Sequence, residues 1–95
     1  MVYKFAEGVE IVHSESGDYI VKGGQKFMVY GSAIEFLKLI DGKRDMDQIL
    51  RELVKIYGPS VEPYIIARDL EKFIYDLVEE GIVVLVKTFY DDKRN

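Results

Sequence analysis

The sequence predicts an α+β domain: a three-stranded antiparallel meander, then three helices, then a short C-terminal strand. Two observations carry this. Apolar residues alternate in strand fashion before Gly31 and recur at helix spacing after it. Turn chemistry divides each half into short elements, with Gly23-Gly24 in the first half and Asp41-Gly42, Gly58-Pro59 and Gly81 in the second. A chain of 95 residues suits one domain with one core. We read 1–95 as that single domain, with a core from about 8 to 87 and a polar tail over 88–95.

Val9-Glu10-Ile11-Val12-His13 is a β-branched run that predicts the first strand. Ser14 to Asp18 is a turn, in which short polar side chains bond nearby backbone groups and Gly17 supplies conformational freedom. Tyr19-Ile20-Val21-Lys22 is the second strand. Gly23-Gly24 accepts the positive φ at both central positions of a primed hairpin turn. Lys26-Phe27-Met28-Val29-Tyr30 is the third strand.

Ser32 followed by Glu35 reads as a capping box at the start of the first helix, with Ala33, Ile34, Leu37 and Ile40 on its apolar face. Asp41-Gly42 is its stop. Asp45 or Asp47 caps a second helix, whose apolar face is Ile49, Leu50, Leu53, Val54 and Tyr57. Pro63 suits the first turn of a third helix, since its missing N–H has no partner to lose there. That helix places Ile66, Leu70, Phe73, Ile74, Leu77 and Val78 on one face and ends at Gly81. Ile82 to Val86 is the last strand. The order is the plan of a winged helix-turn-helix-like domain.

Composition removes several classes of function. There is no Cys, hence no disulfide, thiolate metal site or thiol nucleophile, and one His cannot build a multi-His cage. No metal or cofactor is expected. The longest apolar run is Ile82 to Val86, far short of the roughly 20 residues of a membrane span. No signal-peptide pattern opens the chain, so the expectation is a cytoplasmic protein. Lys, Glu, Val and Ile are abundant while Gln occurs twice and Asn once, a thermophile-like balance.

Catalysis finds no constellation. His13 sits alone beside a turn, Asp45 and Asp47 are better read as caps, and Glu79-Glu80 as a solvated helix end. Gly23-Gly24 leads into a strand and not a helix, so it is no phosphate cradle. The expectation is a protein without chemistry of its own.

The helix order also invites a DNA-binding reading, in which the third helix would enter the major groove. Charge opposes it. From Pro59 to Gly81 the acids are Glu62, Asp69, Glu71, Asp76, Glu79 and Glu80, against Arg68 and Lys72, a balance of −4 that equals the net charge of the whole chain. Such a helix repels phosphates instead of releasing their counterions. A winged-helix DNA-binding regulator stands as the alternative function.

Two features favour peptide binding. An open three-stranded meander leaves unpaired edges that can accept an extended peptide. The third helix carries more apolar residues than one narrow stripe needs, with Ile65, Ile66, Phe73, Ile74, Tyr75, Leu77 and Val78. Either it packs on two sides or part of it lines a groove. A second copy of the chain could pair along the same edge.

The stretch Tyr30-Gly31-Ser32-Ala33-Ile34-Glu35-Phe36-Leu37-Lys38-Leu39-Ile40-Asp41-Gly42-Lys43-Arg44-Asp45 resembles the central signature of PqqD-like proteins: a strand, then a helix ending in Leu-Ile-Asp-Gly, then a short turn. Met46 to Leu53 is similar to the family's second helix and Asp69 to Val83 to its closing helix, so the likeness runs from about Gly8 to Val84. Asp45 departs from the Thr or other cap often found there, but it can cap as well. The resemblance implies a RiPP recognition element: a winged-helix-like domain that binds the leader of a precursor peptide by strand addition beside the third strand and against the third helix. It further implies that the domain presents the peptide to a modifying enzyme, commonly a radical SAM protein with a SPASM domain, as in pyrroloquinoline quinone biosynthesis. Carried onto this chain, the peptide-binding residues are Lys26, Phe27, Met28, Val29 and Tyr30 through their backbone, and Ile65, Arg68, Asp69, Lys72 and Phe73 on the third helix. Arg68 and Lys72, four residues apart, would meet acidic leader residues or else pair with neighbours such as Glu71 and Asp76.

Overall fold

Alternation before Gly31 produces the expected meander. In the computed structural model, which describes residues 1–86, the strands are β2 (Glu10–Ser14), β3 (Gly17–Lys22) and β4 (Gln25–Val29), following a short β1 (Tyr3–Phe5). Their antiparallel order is β2-β3-β4, with Ile11 opposite Ile20 and Ile20 opposite Phe27. The period-2 rule puts these three on one face with Val29, and that face joins the core. Gly23 and Gly24 close the β3–β4 hairpin at φ 55° and 81°, both in the region a type I′ turn requires.

Beyond Gly31 come α1 (Ala33–Lys38), α2 (Met46–Tyr57), α3 (Pro63–Glu79) and β5 (Val83–Leu85). Ile49 and Leu53 of α2 are fully buried, and Ile66, Leu70, Ile74 and Leu77 of α3 pack with them, together with Phe36, Leu37 and Ile40. β5 pairs antiparallel with β1 in a second, two-stranded sheet. β1 was not anticipated. Tyr3 and Phe5 pack against the core from a three-residue strand whose partner is 80 residues away in sequence, and no local pattern reports such a pairing. The anticipated tail over 88–95 lies outside the described residues.

Asp45, and not Asp47, caps α2. Its carboxylate accepts the Gln48 N–H at 2.8 Å while the Gln48 side chain accepts the Asp45 N–H at 2.9 Å, a complete capping box. Ser32 makes no such cap. Its own backbone is already helical (φ −64°, ψ −19°), and the N–H groups of Ala33, Ile34, Glu35 and Phe36 bond the carbonyls of Tyr30, Gly31 and Ser32. The orphan donors a capping side chain would serve are thus occupied, and Glu35 lies instead 3.9 Å from Lys38. Asp41 does not terminate α1, which ends three residues earlier. Its carboxylate holds the following loop, accepting from the Lys43 and Arg44 N–H groups at 2.9 and 2.8 Å and from the Arg44 guanidinium at 2.9 Å. Those backbone donors hold the Asp41 carboxyl below its ordinary pKa.

α3 ends in a Schellman motif. Gly81 (φ 72°) donates to Val78 O at 3.0 Å and Ile82 to Leu77 O at 2.9 Å, with Ile82 and Leu77 both buried. Val78, expected on the core face, is 43% exposed. At about 100° per residue it falls roughly a quarter turn from the line of Ile66, Leu70 and Leu77. No helix among the described residues is long and apolar enough to cross a membrane.

Candidate peptide-binding groove

β4 is an edge strand, so one row of its backbone groups has no strand partner among the described residues. The register tells which row. Lys22 and Gln25 flank the two-residue turn, and an antiparallel ladder alternates from there, so Gln25, Phe27 and Val29 spend their N–H and C=O groups on β3. Lys26 and Met28 present theirs to the open side. The side chains alternate between faces of the sheet, Met28 44% exposed to solvent and Val29 8% exposed in the core. The Tyr30 carbonyl is taken by the Ala33 N–H at 3.1 Å. Of the five β4 residues singled out in the sequence, Lys26 and Met28 have backbone groups turned to the open side, and the Tyr30 N–H continues that row. The Lys26 ammonium lies 4.6 Å from the centre of the Tyr19 ring on β3, an exposed cation–π contact beside this edge.

The chain leaving β4 turns directly into a cleft between the start of α1 and α3. Its walls are Ser32, Ala33 and Phe36 on one side and Asp69, Lys72, Phe73 and Asp76 on the other, around about 280 Å³. Phe36 and Phe73 meet edge to face, ring centroids 5.5 Å apart at 75°. A neighbouring hollow lined by Ser32, Phe36, Tyr57, Val61, Ile66 and Asp69 extends it toward the end of α2. Burial, and secondarily the charge of Glu35, raises the Tyr57 pKa above its ordinary value.

Of the α3 residues singled out in the sequence, Asp69, Lys72 and Phe73 line this cleft. Ile65 lies on the same side of the helix and is half-buried. Arg68 is not among the lining residues; its side chain is 72% exposed, turned toward solvent, with Nε 3.9 Å from Asp69. Lys72 reaches Asp76 at 3.4 Å, so both bases have acidic neighbours on their own helix, in pairs worth about 0–1 kcal/mol at the surface. Sequence reasoning missed the opposite wall, Ser32, Ala33 and Phe36. The signal was present, since these residues follow the acceptor strand immediately, but which helix faces which is decided by packing.

All six acids of the third-helix segment (Glu62, Asp69, Glu71, Asp76, Glu79 and Glu80) are exposed, as are its two bases. The surface a DNA reader would turn to the phosphates is acidic. His13 is an exposed strand-end residue whose Nδ1 lies 3.0 Å from Asp18 across the β2–β3 pair.

Known proteins can be set beside this geometry. A curated relative, the PqqA binding protein of Gluconobacter oxydans (strain 621H), is 32% identical over 86% of this chain and 85% of its own. Three solved structures share the fold. A lasso peptide synthetase B1 complexed with the leader peptide has a TM-score of 0.77 at 15% identity, over 90% of this chain and 100% of that one. The PqqD truncation of Methylobacterium extorquens PqqCD, a stand-alone RiPP recognition element, has a TM-score of 0.73 at 23% identity, over 88% and 89% of the two chains. TbiB1 in complex with the TbiA(beta) leader peptide has a TM-score of 0.74 at 16% identity, over 90% and 99%. Residues 11–83 match the family described as Coenzyme PQQ synthesis protein D. With an open strand edge running into a helix-walled cleft and a sequence matched over most of its length, the chain belongs to the PqqD family.

Proposed function

We propose that this chain is a RiPP recognition element that binds the leader of a precursor peptide and presents the remainder to a modifying enzyme. The observation that carries the reading is the continuity of the free β4 edge with the α1–α3 cleft. An extended peptide gains main-chain hydrogen bonds from Lys26, Met28 and Tyr30, while side chains on one of its faces enter the cleft over Phe36 and Phe73. Ile65 extends the apolar floor. Asp69, Lys72 and Asp76 supply charges of both signs, and Arg68 extends the polar rim. Lys72 can exchange its Asp76 contact for an acidic leader residue.

The relatives and structural neighbours support the class of ligand: one relative is named for binding PqqA, and two neighbours hold leader peptides. In this reading the domain performs no chemistry, works in the cytoplasm, and hands its peptide to a radical SAM enzyme with a SPASM domain. The experiment is a calorimetric titration with the leader half of PqqA, the peptide the curated relative is named for binding, repeated at low and high salt. Strand addition predicts saturable binding that changes little with salt. Binding of duplex DNA, lost steeply as salt rises, would make the chain a regulator instead.

A further inference from the structure

The side of α3 turned away from the cleft carries a second surface. Asp69, Lys72, Phe73 and Asp76 face the cleft; Glu71, Tyr75 and Val78 lie about half a turn round the helix, with the buried stripe, Ile74 included, between the two sets. These residues form a shallow apolar hollow with Tyr3 of β1 and Leu85 of β5. Tyr75, Val78 and Leu85 are 63%, 43% and 48% exposed, a contiguous apolar face uncovered among the described residues. Its charges are of one sign. Glu71 lines the hollow, and Glu79 follows Tyr75 by one helical turn, its carboxylate raising the Tyr75 pKa above its ordinary value. Between Phe73 and Glu80 there is no Lys or Arg.

We propose that this face docks a second protein, through an aliphatic or aromatic side chain flanked by Lys or Arg. The apolar hollow takes the side chain, and the carboxylates of Glu71 and Glu79 take the flanking cations. The same charges argue against a second copy of this chain, because a symmetric contact would set the acidic rims against each other. They argue equally against an anionic membrane. The two surfaces lie on opposite sides of one helix, so leader and partner can be held together. That this is the second contact an adaptor needs rests on the reading above; the docking chemistry does not.

The test is an NMR titration of the labelled full chain with the acetylated, amidated peptide Lys-Leu-Lys-Phe-Lys-Leu-Lys, against the same peptide with every Lys replaced by Glu. The proposal expects shifts at Glu71, Tyr75, Val78 and Leu85 with the basic probe and none with the acidic one. Val78→Glu and, separately, Tyr75→Ser should each weaken the basic probe at least tenfold, while Lys72→Glu on the cleft side leaves these shifts in place. Leader affinity of Val78→Glu should match the parent, which separates failure here from failure of the leader site. Shifts confined to β4 and the cleft, equal binding of both probes, or insensitivity to both substitutions overturn the proposal. So does self-association of the chain that Val78→Glu abolishes, which would assign the face to a second copy.

Discussion

The rings of Phe36 and Phe73 meet edge to face at 5.5 Å, joining α1 to α3 at the floor of the cleft. Phe36 is buried and Phe73 half-buried, so their truncations should differ. Phe36→Ala leaves a core cavity and should cost about 3–5 kcal/mol in urea unfolding. Phe73→Ala should cost visibly less, keep the fold, and weaken leader binding about tenfold, equivalent to about 1.4 kcal/mol. Unchanged leader affinity in Phe73→Ala would remove that ring from the site.

Proline substitution separates the two rows of β4. Met28→Pro deletes an N–H on the open edge that β3 does not use, so stability should fall little while leader affinity falls about tenfold or more. Phe27→Pro deletes an N–H committed to β3 and should destabilise the sheet itself, by about 3 kcal/mol or more. Paired unfolding and binding measurements check both. Equal effects from the two would contradict the register argument.

Lys22 ties the meander to the helical layer. Its ammonium donates to the Gly81 carbonyl at 2.8 Å in a part-buried contact, and a Cβ at Gly81 would stand 2.8 Å from the same nitrogen. Gly81→Ala should lose about 1–2 kcal/mol for the left-handed backbone alone, with further loss from displacing Lys22. Lys22→Met should lose about 1.5 kcal/mol for a charge-assisted bond. The double variant should lose less than the sum, because both disturb one contact. Denaturant midpoints of the three proteins measure this.

Asp41 gives a pH dependence of known sign. Its carboxyl is held below its ordinary value of 3.8, first by the Arg44 and Lys43 N–H groups. A depressed folded pKa contributes stability that is present above the unfolded value and is lost as pH falls through the folded one. The stability gap between the parent and Asp41→Asn should be full at pH 6–7 and close as the pH drops below about 4. Unfolding curves across that range test it; a gap independent of pH would mean that Asp41 holds its loop by shape alone.

The meander and helices were legible because their signals are local. Gly23-Gly24 dictates a hairpin whatever surrounds it, and Asp45 with Gln48 caps α2 using groups three residues apart. β1 was illegible because Tyr3 to Phe5 becomes a strand only through Val83 to Leu85 at the far end of the chain. Ser32 misled because the chain enters α1 already turned, leaving its hydroxyl no donor to cap. At the candidate site, sequence pattern located the strand edge and one wall of the cleft. It did not separate the alternate residues that β4 commits to β3 from those on the open edge, a matter of register, nor Arg68, turned to solvent, from Lys72, which lines the cleft.

In the function proposed for this chain, a leader peptide adds along the open edge of β4 and fills the cleft between α1 and α3. The most direct measurement is an NMR titration of the labelled chain with PqqA and, separately, with its leader half. Saturable shifts and protected amides are expected at Lys26, Met28 and Tyr30, with side-chain shifts at Phe36, Lys72 and Phe73. Small changes are expected at the N–H groups of Phe27 and Val29, which are already bonded. Shifts centred on β2 or on the Tyr75–Val78 face with β4 silent, or no binding of either peptide, would contradict that function.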